Sequence, residues 1–444
     1  MKSRKEITLF EFGFVAKDLK ADTHTSVHKI SAQSYDYLKQ LCLRGESDSK
    51  LLKVRSIDGM EVLQVQNYAG VIFTPDRTQI EVLPKIGKGL VDDKEGHDKA
   101  RESLLIMLRA LKGFSYIQTS NANISSQKMP LLEVFITQFL QSVNTLIKRG
   151  LRSDYVRCED NLAYLKGKLN VGKQLRENVI NKHKFYCEYD EFLLNRPANR
   201  LIHSTLRKVM ALARSVSNQK LVHELLFVFN EVPLSKDYTL DFSGLKSDRG
   251  MSYYQVPLEW CRLILNGFSP QTMKGDTHAA SLLFPMERVF EDYVAKIIKE
   301  QYRKTHPNRV VDAQTSGQHL ALYQGKGKFK LRPDILITED DNNLMVLDTK
   351  WKLLDSKLHN TNIAQADVYQ MFAYAKKYLK SGYGKDIVLV YPQQDNFSEA
   401  LTHDYDLGDG HKLWVVPFEI NVKESRLIWP TLYKQSLTVD AIDK

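Results

Sequence analysis

Closely spaced cysteines are missing from this sequence. It has four cysteines in 444 residues, and no two of them have CxxC spacing. A zinc ribbon needs thiolate pairs, and a four-cysteine iron–sulfur cluster usually has several neighbouring ligands. Neither kind of site is therefore expected, and we predict four reduced, mostly buried thiols: Cys42, Cys158, Cys187 and Cys261.

Long hydrophobic runs are also missing. No apolar stretch is longer than Leu225–Phe229, whereas a membrane-spanning helix needs ~20 apolar residues. The segment Met1–Phe14 has charges within a short apolar stretch and no signal-peptide core. We therefore expect a soluble, cytoplasmic protein that binds no membrane.

The composition is otherwise that of an ordinary globular protein, with 43% hydrophobic and 26% charged residues. Its length is enough for two or three domains with their own cores. Lysine and arginine number 63 against 53 aspartates and glutamates, which gives a net charge of +10. A basic surplus suits a polyanion, because lysine and arginine release counterions from phosphates. Many basic proteins bind no nucleic acid, so this indication is weak.

The hydrophobic pattern divides the chain into three segments. Residues 1–98 have short alternating runs, interrupted by one helix near Ser34–Arg44 and closed by a polar loop at 87–98. Residues 99–280 show mostly helical spacing of apolar side chains, and residues 281–444 mix helices and strands over a normal domain size. The prediction is a multi-domain α/β protein with a β-rich N-terminal domain, a mainly helical middle region and a C-terminal α/β domain.

Residues 329–352 carry the strongest chemical signal. Two runs of β-branched and apolar residues flank Glu339–Asn343, which predicts a hairpin with a loop of about five residues. Both strands are apolar on both faces, which is typical of strands buried on both sides. Charged residues in such strands need a reason, because burying an unpaired charge costs several kcal/mol.

Three charged residues of this hairpin are expected on one face. If Thr338 pairs with Leu344, Asp334 lies opposite Asp348. Lys350 then shares their face, because alternate residues of a strand point the same way. A shift of one residue would separate the three side chains. The alternative is a plain salt bridge between Asp334 and Lys350 on an exposed strand.

Two carboxylates and a lysine on one face suit the hydrolysis of a phosphodiester. Mg²⁺ takes carboxylate oxygens and keeps several waters. The ion polarises the phosphate and lowers the pKa of a bound water, while a lysine orients the water and stabilises developing charge. We predict that Asp334, Asp348 and the backbone carbonyl of Thr349 bind Mg²⁺, and that Lys350 is the catalytic lysine.

Two helices are expected to add polar residues to this site. Glu291 borders the apolar stripe of a helix near 284–303 and is a candidate catalytic residue and metal ligand, with a solvated carboxylate as the alternative. Gln370 and Tyr374 are one turn apart on a second helix and so share a face. Gln370 is a candidate for holding the lysine or the DNA backbone, with a satisfied core glutamine as the alternative.

Basic residues surround the carboxylates in sequence. Lys326, Lys328 and Arg332 lie on or before the first hairpin strand, and Lys352 follows the second. They are candidate contacts to DNA phosphates on either side of the cut. Solvated surface side chains are the simpler alternative.

The order of these motifs resembles the PD-(D/E)xK nuclease superfamily, in its α–β–β–α context. More of the chain, roughly residues 130–400, resembles a narrower family, McrC, the nuclease subunit of McrBC modification-dependent restriction systems. The matching segments are Lys148–Leu151, Leu165–Leu169, Cys187–Phe192, Asn195-Arg196, Met286–Lys296, Asp348–Lys352 and Asp367–Ala375.

The resemblance implies a division of labour between two proteins. McrC-like subunits cut DNA, whereas a separate AAA+ GTPase, McrB, recognises the modified cytosine and translocates double-stranded DNA. The N-terminal part of an McrC-like chain docks into the McrB hexamer and stimulates it. We therefore expect Mg²⁺ as the cofactor here and GTP on the partner. Dimerisation through the nuclease domain is left open.

One segment, Gly167–Gln174, has the glycine spacing of a phosphate-binding loop. Gln174 stands where a serine or threonine would hold Mg²⁺, and no convincing hydrophobic strand precedes the segment. We therefore predict no nucleotide site in this chain.

Three functions stay open at this point. The first is a Mg²⁺-dependent endonuclease subunit of an McrBC-like antiviral restriction system. The second is a partner-activating, DNA-binding subunit with a vestigial nuclease site, and the intact set Asp334, Asp348 and Lys350 argues against it. The third is a stand-alone DNA repair nuclease, and the long region before residue 280 argues against that. We expect the first.

Overall fold

The structure is a computed structural model. It describes residues 6–19, 27–44, 51–76, 78–85, 92–110, 129–245, 249–265, 282–379, 384–421 and 423–433. The chain forms two compact units, of which the first joins Met1–Leu131 with Ser269–Lys444 and the second is Leu132–Phe268. The predicted functional segments, with boundaries after residues 98 and 280, stay a prediction.

The N-terminal part of the first unit is rich in short strands. Helix α2 starts at Lys94, where the side chain of Asp93 accepts a hydrogen bond from the N–H of Gly96. The loop predicted at 87–98 is therefore wrong from Lys94 onward. The elements are β1 (Glu6–Phe10), β2 (Phe14–Ala16), β3 (Val27–Lys29), α1 (Ala32–Arg44), β4 (Leu52–Ile57), β5 (Met60–Val65), β6 (Tyr68–Phe73), β7 (Gln79–Leu83) and α2 (Lys94–Leu108).

The second unit is mainly helical and holds one three-stranded sheet, in the order β8-β10-β9. Proline at the first position of α5 suits a helix start, because its missing N–H has no partner there anyway. The elements are α3 (Leu131–Arg149), β8 (Asp154–Leu162), β9 (Lys168–Leu169), α4 (Val171–Glu177), β10 (Phe185–Leu193), α5 (Pro197–Leu212), α6 (Val216–Val228), α7 (Tyr238–Ser243), a 3₁₀ helix (Arg249–Tyr254) and α8 (Gln255–Leu265).

The glycine-containing segment Gly167–Gln174 folds as strand β9 followed directly by helix α4. Asn170 caps this helix by accepting a 3.1 Å hydrogen bond from the N–H of Lys173. The ammonium of Lys173 forms an ion pair with Glu159. Lys168 and Leu169 are thus paired in a strand, and the N–H and ammonium of Lys173 are both engaged by side chains.

The C-terminal part of the first unit mixes strands and helices. Among the described residues, no helix is long and apolar enough to cross a lipid bilayer. The elements are β11 (Leu282–Pro285), α9 (Met286–Thr305), β12 (Arg309–Ala313), β13 (His319–Tyr323), β14 (Lys326–Lys330), β15 (Ile335–Glu339), β16 (Asn342–Thr349), a 3₁₀ helix (His359–Asn362), α10 (Gln365–Tyr378), β17 (Asp386–Pro392), β18 (Tyr405–Asp406), β19 (Lys412–Glu419) and β20 (Arg426–Leu427).

Strand β11 connects the N-terminal and C-terminal parts of the first unit, because it pairs with β6. One N-terminal sheet has the order β3-β2-β5-β4, and the other has the order β1-β7-β6-β11. Leu283 of β11 packs in the N-terminal core. Gly70 of β6 has φ of 138°, and a Cβ there would lie 1.8 Å from the carbonyl oxygen of Leu282, so only glycine allows this close strand approach. The sequence pattern does not predict this strand.

Helices α9 and α10 cover opposite faces of a seven-stranded sheet with the order β12-β15-β16-β17-β19-β18, in which β20 also pairs with β19. Met371 and Tyr374 of α10 share a core with Val346 of β16. On the other face, the ring of Phe290 in α9 packs edge-on against Phe418. Because side chains alternate along a strand, Asp348 and Lys350, two and four positions after Val346, point toward α10 as Val346 does.

The β15–β16 hairpin has the predicted register next to the candidate site. Ile335 pairs with Leu347, and Ile337 pairs with Met345. Asp334 directly precedes β15, so the same register places it at the level of Asp348.

The far end of the hairpin differs from the prediction. Thr338 pairs with Asn343 rather than Leu344, because a bulge shifts the register there. The turn is the two-residue loop Asp340-Asp341, with φ of 48° and 62°. Two successive positive φ angles are typical of a type I′ turn, which matches the twist of the strands. The predicted five-residue loop is therefore wrong.

The hairpin is also shorter at its start than predicted. Residues Lys326–Lys330 form β14, which pairs with β13 in a separate two-stranded ribbon. The turn Gln324-Gly325 connects these two strands, again with two positive φ angles. Lys326 and Lys328 therefore lie on this ribbon and precede the first strand of the site hairpin.

Candidate active site

Asp334 is fixed at the end of the hairpin by Thr349. Its Oδ2 accepts two hydrogen bonds of 2.7 Å, one from the backbone N–H and one from Oγ1 of Thr349. Burial raises the pKa of Asp334, while the hydrogen bonds from Thr349 and the charge of Lys350 oppose this shift. The carboxylate is therefore oriented from the neighbouring strand.

Asp348 is a buried carboxylate, with only 1% of its surface exposed. Its Oδ2 forms an ion pair with the ammonium of Lys350. Burial raises the pKa of Asp348, and the charge of Asp334 adds to the effect. Two carboxylates lie beside a single lysine here, so a further cation bound between them would stabilise their charged forms.

Lys350 is held from three sides. Its backbone N–H donates a 2.8 Å hydrogen bond to the carbonyl of Val390, and its Nζ donates a 3.0 Å hydrogen bond to Oε1 of Gln370. Burial lowers the pKa of Lys350, but the charge of Asp348 and the ion pair between them outweigh it, so the pKa is raised. The ammonium is therefore charged at neutral pH.

Gln370 and Tyr374 connect the lysine to the start of the hairpin. Nε2 of Gln370 donates a 2.8 Å hydrogen bond to the hydroxyl of Tyr374, which donates a 2.8 Å hydrogen bond to the carbonyl of Arg332. Gln370 is expected either to hold the lysine or the DNA backbone, or to be a satisfied core glutamine, and its side chain contacts the lysine. Its catalytic role stays a prediction.

Glu291 is half-buried on α9 and faces the same cluster. Its Oε1 accepts a 2.8 Å hydrogen bond from Nε2 of Gln314. Burial raises the pKa of Glu291, and the charge of Asp334 raises it further, so the two carboxylates are close enough to interact. Gln314 also donates its backbone N–H to the carbonyl of Asp334 at 2.8 Å.

Gln314 was missed at the sequence level. It follows strand β12 directly and has φ of 52°, a conformation in which glutamine is uncommon. The signal in the sequence is weak, because a polar residue after a strand is ordinary. Only the fold shows that this residue contacts both Glu291 and Asp334.

The donor set fits Mg²⁺ in one particular way. Within the described residues, no three histidine, cysteine, aspartate or glutamate side chains are grouped so that they could hold a metal ion. Asp334 and Asp348 nevertheless supply carboxylate oxygens, and they are close enough for the charge of Asp334 to raise the pKa of Asp348. Mg²⁺ usually binds through one or two carboxylates and keeps several waters. The site therefore suits a hydrated ion, with Glu291 and the Thr349 carbonyl as further predicted ligands.

The predicted DNA-binding residues lie in different surroundings. Lys326 and Lys328 are exposed on the β13–β14 ribbon, and Arg332 is exposed just before Asp334. Lys352 instead bonds both carboxylate oxygens of Asp367, at 2.9 and 2.8 Å. The sequence pattern does not point to Asp367, and contacts of all four basic residues with DNA stay predictions.

The fold and the site define a mixed α/β protein with a buried Asp-Asp-Lys cluster. A family model described as "McrBC 5-methylcytosine restriction system component" matches residues 63–392, most of the chain. The chain belongs to this family. The resemblance to McrBC-type proteins seen in the sequence is thereby confirmed.

Individual relatives agree with this membership. The chain is 22% identical over 325 residues to "Type IV methyl-directed restriction enzyme EcoKMcrBC" of Escherichia coli K12, which covers 70% of this chain and 88% of the relative. It also resembles a chain in the "Refined half-complex from tetradecameric assembly of Thermococcus gammatolerans McrB AAA+ hexamers with bound McrC". The TM-score is 0.66 at 18% identity, over 94% of this chain and 95% of that one.

A second solved structure is the cryo-EM structure of the Thermococcus gammatolerans McrBC complex. There the TM-score is 0.46 at 19% identity, over 66% of this chain and 87% of that chain. At such identities the likeness of the first structure shows a shared fold, which extends over nearly the whole chain.

Proposed function

We propose that this chain is the Mg²⁺-dependent endonuclease subunit of an McrBC-type restriction system, with residues 281–444 as a PD-(D/E)xK nuclease domain. The observation that carries the proposal is the buried cluster of Asp334, Asp348 and Lys350, in a chain that belongs to a restriction-system family. Helices on both sides of the hairpin sheet support the domain assignment.

The residues of the cluster have complementary tasks in phosphodiester hydrolysis. Asp334 and Asp348, with the carbonyl of Thr349 and several waters, would hold Mg²⁺. The ion would supply Lewis acidity toward the phosphate and a water of lowered pKa. Lys350 is charged and held by Gln370, so it can orient the attacking water and stabilise negative charge on the phosphate oxygens.

The partner in this proposal is an AAA+ GTPase hexamer of the McrB kind. The Thermococcus gammatolerans chain, which shares the fold over 94% of this one, comes from an assembly of McrB AAA+ hexamers with bound McrC. We assign partner docking to residues 1–98, and GTP binding and recognition of modified cytosine to the partner. Double-stranded DNA is the shared substrate.

A reconstitution experiment tests the proposal. The purified chain is mixed with the McrB-type partner, Mg²⁺, GTP and modified DNA, and cleavage and GTP hydrolysis are measured together. We expect efficient cleavage only in the complete mixture. Asp348→Asn and Lys350→Ala should lower cleavage by about a hundredfold or more and leave stimulation of GTP hydrolysis intact.

Glu339→Gln is the matched control, because Glu339 lies on the same hairpin at its turn end and is paired with Arg309. It should cut like the wild type. Normal cleavage by Asp348→Asn would disprove the site, and efficient cleavage by the chain alone without nucleotide would disprove the partner dependence. Stimulated GTP hydrolysis without any cleavage would instead indicate a vestigial nuclease site.

A further inference from the structure

Glu11 is a completely buried carboxylate in the N-terminal part of the first unit. It follows β1 directly, and none of its surface is exposed. Its two oxygens lie 3.3 and 3.1 Å from Nε1 of Trp351, a residue 340 positions away in sequence. The backbone N–H of Lys85, just after β7, donates a further hydrogen bond of 3.3 Å to the same carboxylate. The side chain thus joins the sheet β1-β7-β6-β11, called the N-terminal sheet below, to the segment after β16.

Trp351 is the residue next to the candidate catalytic lysine. Its indole is buried, with 3% of its surface exposed, and lies against the ring of Phe290 with the centroids 5.4 Å apart. Phe290 directly precedes Glu291 on α9. The residue after Lys350 therefore packs against the residue before Glu291.

The N-terminal sheet also supports α9 directly. Strand β11 pairs with β6 and leads straight into this helix. The carbonyl of Asn67 accepts a 3.0 Å hydrogen bond from the N–H of Met286, and its side chain donates a 2.9 Å hydrogen bond to Oε1 of Glu287. A shift of the N-terminal sheet would consequently reach α9 as well as Trp351.

Packing alone gives no reason for a carboxylate at position 11. Burying such a group is costly, and an apolar side chain of similar size would fill the space more cheaply. What the carboxylate adds is direction, because it accepts the indole N–H and so fixes the rotation of that ring. The backbone of Lys350 is held on its C-terminal side by that ring and on its N-terminal side by the hydrogen bond from its own N–H to the carbonyl of Val390.

We propose that Glu11 is a positioning residue for Lys350 and acts through the indole of Trp351, so that the N-terminal sheet is part of the support of the active site. The catalytic consequence of this role rests on the proposed nuclease function. Its geometric part concerns only how firmly Lys350 is held, and that part is measurable without cleavage.

The first measurement is the reactivity of Lys350 in the isolated chain. An amine-reactive acylating reagent is used, and mass spectrometry follows the modification of this lysine with time. Glu11→Leu and Trp351→Phe should each raise the labelling rate at Lys350 several-fold, because its Nζ leaves Asp348 and Gln370 more often. Glu11→Gln should behave like the wild type, because its amide carbonyl still accepts the indole N–H.

Two further variants separate positioning from general loss of stability. Glu11→Leu with Trp351→Phe should label no faster than either single variant, because both changes break the same contact. Glu133→Leu is the matched control, since Glu133 is another buried carboxylate, accepting hydrogen bonds from the N–H of Arg214 and the amide of Asn218 in the second unit. It should leave the labelling of Lys350 unchanged.

The second measurement is cleavage with the partner present, under single-turnover conditions. Glu11→Leu should lower the maximal rate on the order of ten- to a hundredfold, with the half-saturating DNA concentration unchanged, because small misplacements of catalytic groups cost rates of this order. A wild type that never cuts DNA would disprove the nuclease function, while the labelling comparison would still decide the positioning role.

Unchanged labelling of Lys350 in Glu11→Leu and Trp351→Phe would overturn the proposal. The same holds if Glu133→Leu raised the labelling equally, since the effect would then be general loosening. Should Glu11→Leu fail to fold, Trp351→Phe carries the test, because it keeps an aromatic ring at this position and removes the indole N–H.

Discussion

The ammonium of Lys350 donates a 3.0 Å hydrogen bond to the side-chain carbonyl of Gln370. On its other side the same ammonium is paired with Asp348. The glutamine is itself oriented by the hydroxyl of Tyr374, which bonds to the backbone at Arg332. Helix α10 thereby fixes the lysine relative to both hairpin strands, and this arrangement leads to the first prediction.

Gln370→Leu should slow DNA cleavage by about tenfold or more, because Lys350 loses the acceptor that holds it. Tyr374→Phe should have a smaller effect in the same direction, since it removes the hydroxyl that orients Gln370 but leaves Lys350 its acceptor. Single-turnover cleavage with the partner measures both changes. Gln365→Leu, an exposed change on the same helix, is the control, and a rate for Gln370→Leu equal to that of this control would contradict the prediction.

The second prediction concerns the hydroxyl of Thr349. Thr349→Val removes one of the two 2.7 Å hydrogen bonds to Asp334 and keeps the shape of the side chain. A hydrogen bond to a carboxylate favours its charged form, so its loss raises the pKa of Asp334 further. We expect a higher Mg²⁺ concentration for half-maximal cleavage.

Thr349→Ser keeps the hydroxyl and should restore the wild-type Mg²⁺ requirement. The two variants are compared by Mg²⁺ titration of the cleavage rate at fixed pH. If valine and serine gave the same titration curve, the hydroxyl would have no part in preparing Asp334.

The sequence predicts those features of this site that depend on neighbouring residues of the chain. The register that brings Asp334 level with Asp348 follows from two apolar runs and their alternation, and it was predicted. The bulge at Leu344 was not, because Asp340-Asp341 adopts two positive φ angles that no residue pattern required. The structure has a two-residue turn and a bulge where the sequence predicts a five-residue loop.

Long-range contacts were beyond sequence reasoning. Glu11 was noticeable only as a charge within a short apolar stretch, and nothing local pointed to Trp351, 340 residues away. Gln314 likewise gains its meaning only where β12 ends beside α9. The strand before Met286 was missed because its partner, β6, lies more than two hundred residues earlier in the chain.

The third prediction is a pH dependence of stability that comes from Glu11. Burial raises its pKa from 4.5 to about 8, against the opposing hydrogen bonds from Trp351 and Lys85. Between these two values the folded chain binds more protons than the unfolded chain, so the free energy of unfolding falls as pH rises. Each pH unit inside this window costs up to about 1.4 kcal/mol for one proton. Above pH 8 the loss levels off.

Glu11→Gln cannot ionise and should lack this contribution. Urea denaturation followed by tryptophan fluorescence, from pH 5 to pH 9, compares the two chains. The wild type should lose stability relative to Glu11→Gln across the range, most steeply between pH 5 and pH 8. Parallel curves would show that Glu11 titrates normally.

The last prediction concerns the lysines of the β13–β14 ribbon. Lys326 pairs with Tyr323 and Lys328 with Ala321, so the two lysines share one face of an exposed ribbon. If they contact DNA phosphates, reversing their charge to glutamate removes about two counterion-releasing contacts, and the slope of log affinity against log salt should become less steep by about two units. Because both side chains are exposed, the fold should tolerate the change. Charge reversal of Lys377, an exposed lysine on α10, is the control. An unchanged salt slope in the ribbon variant would mean that Lys326 and Lys328 are solvated surface side chains without contact to DNA.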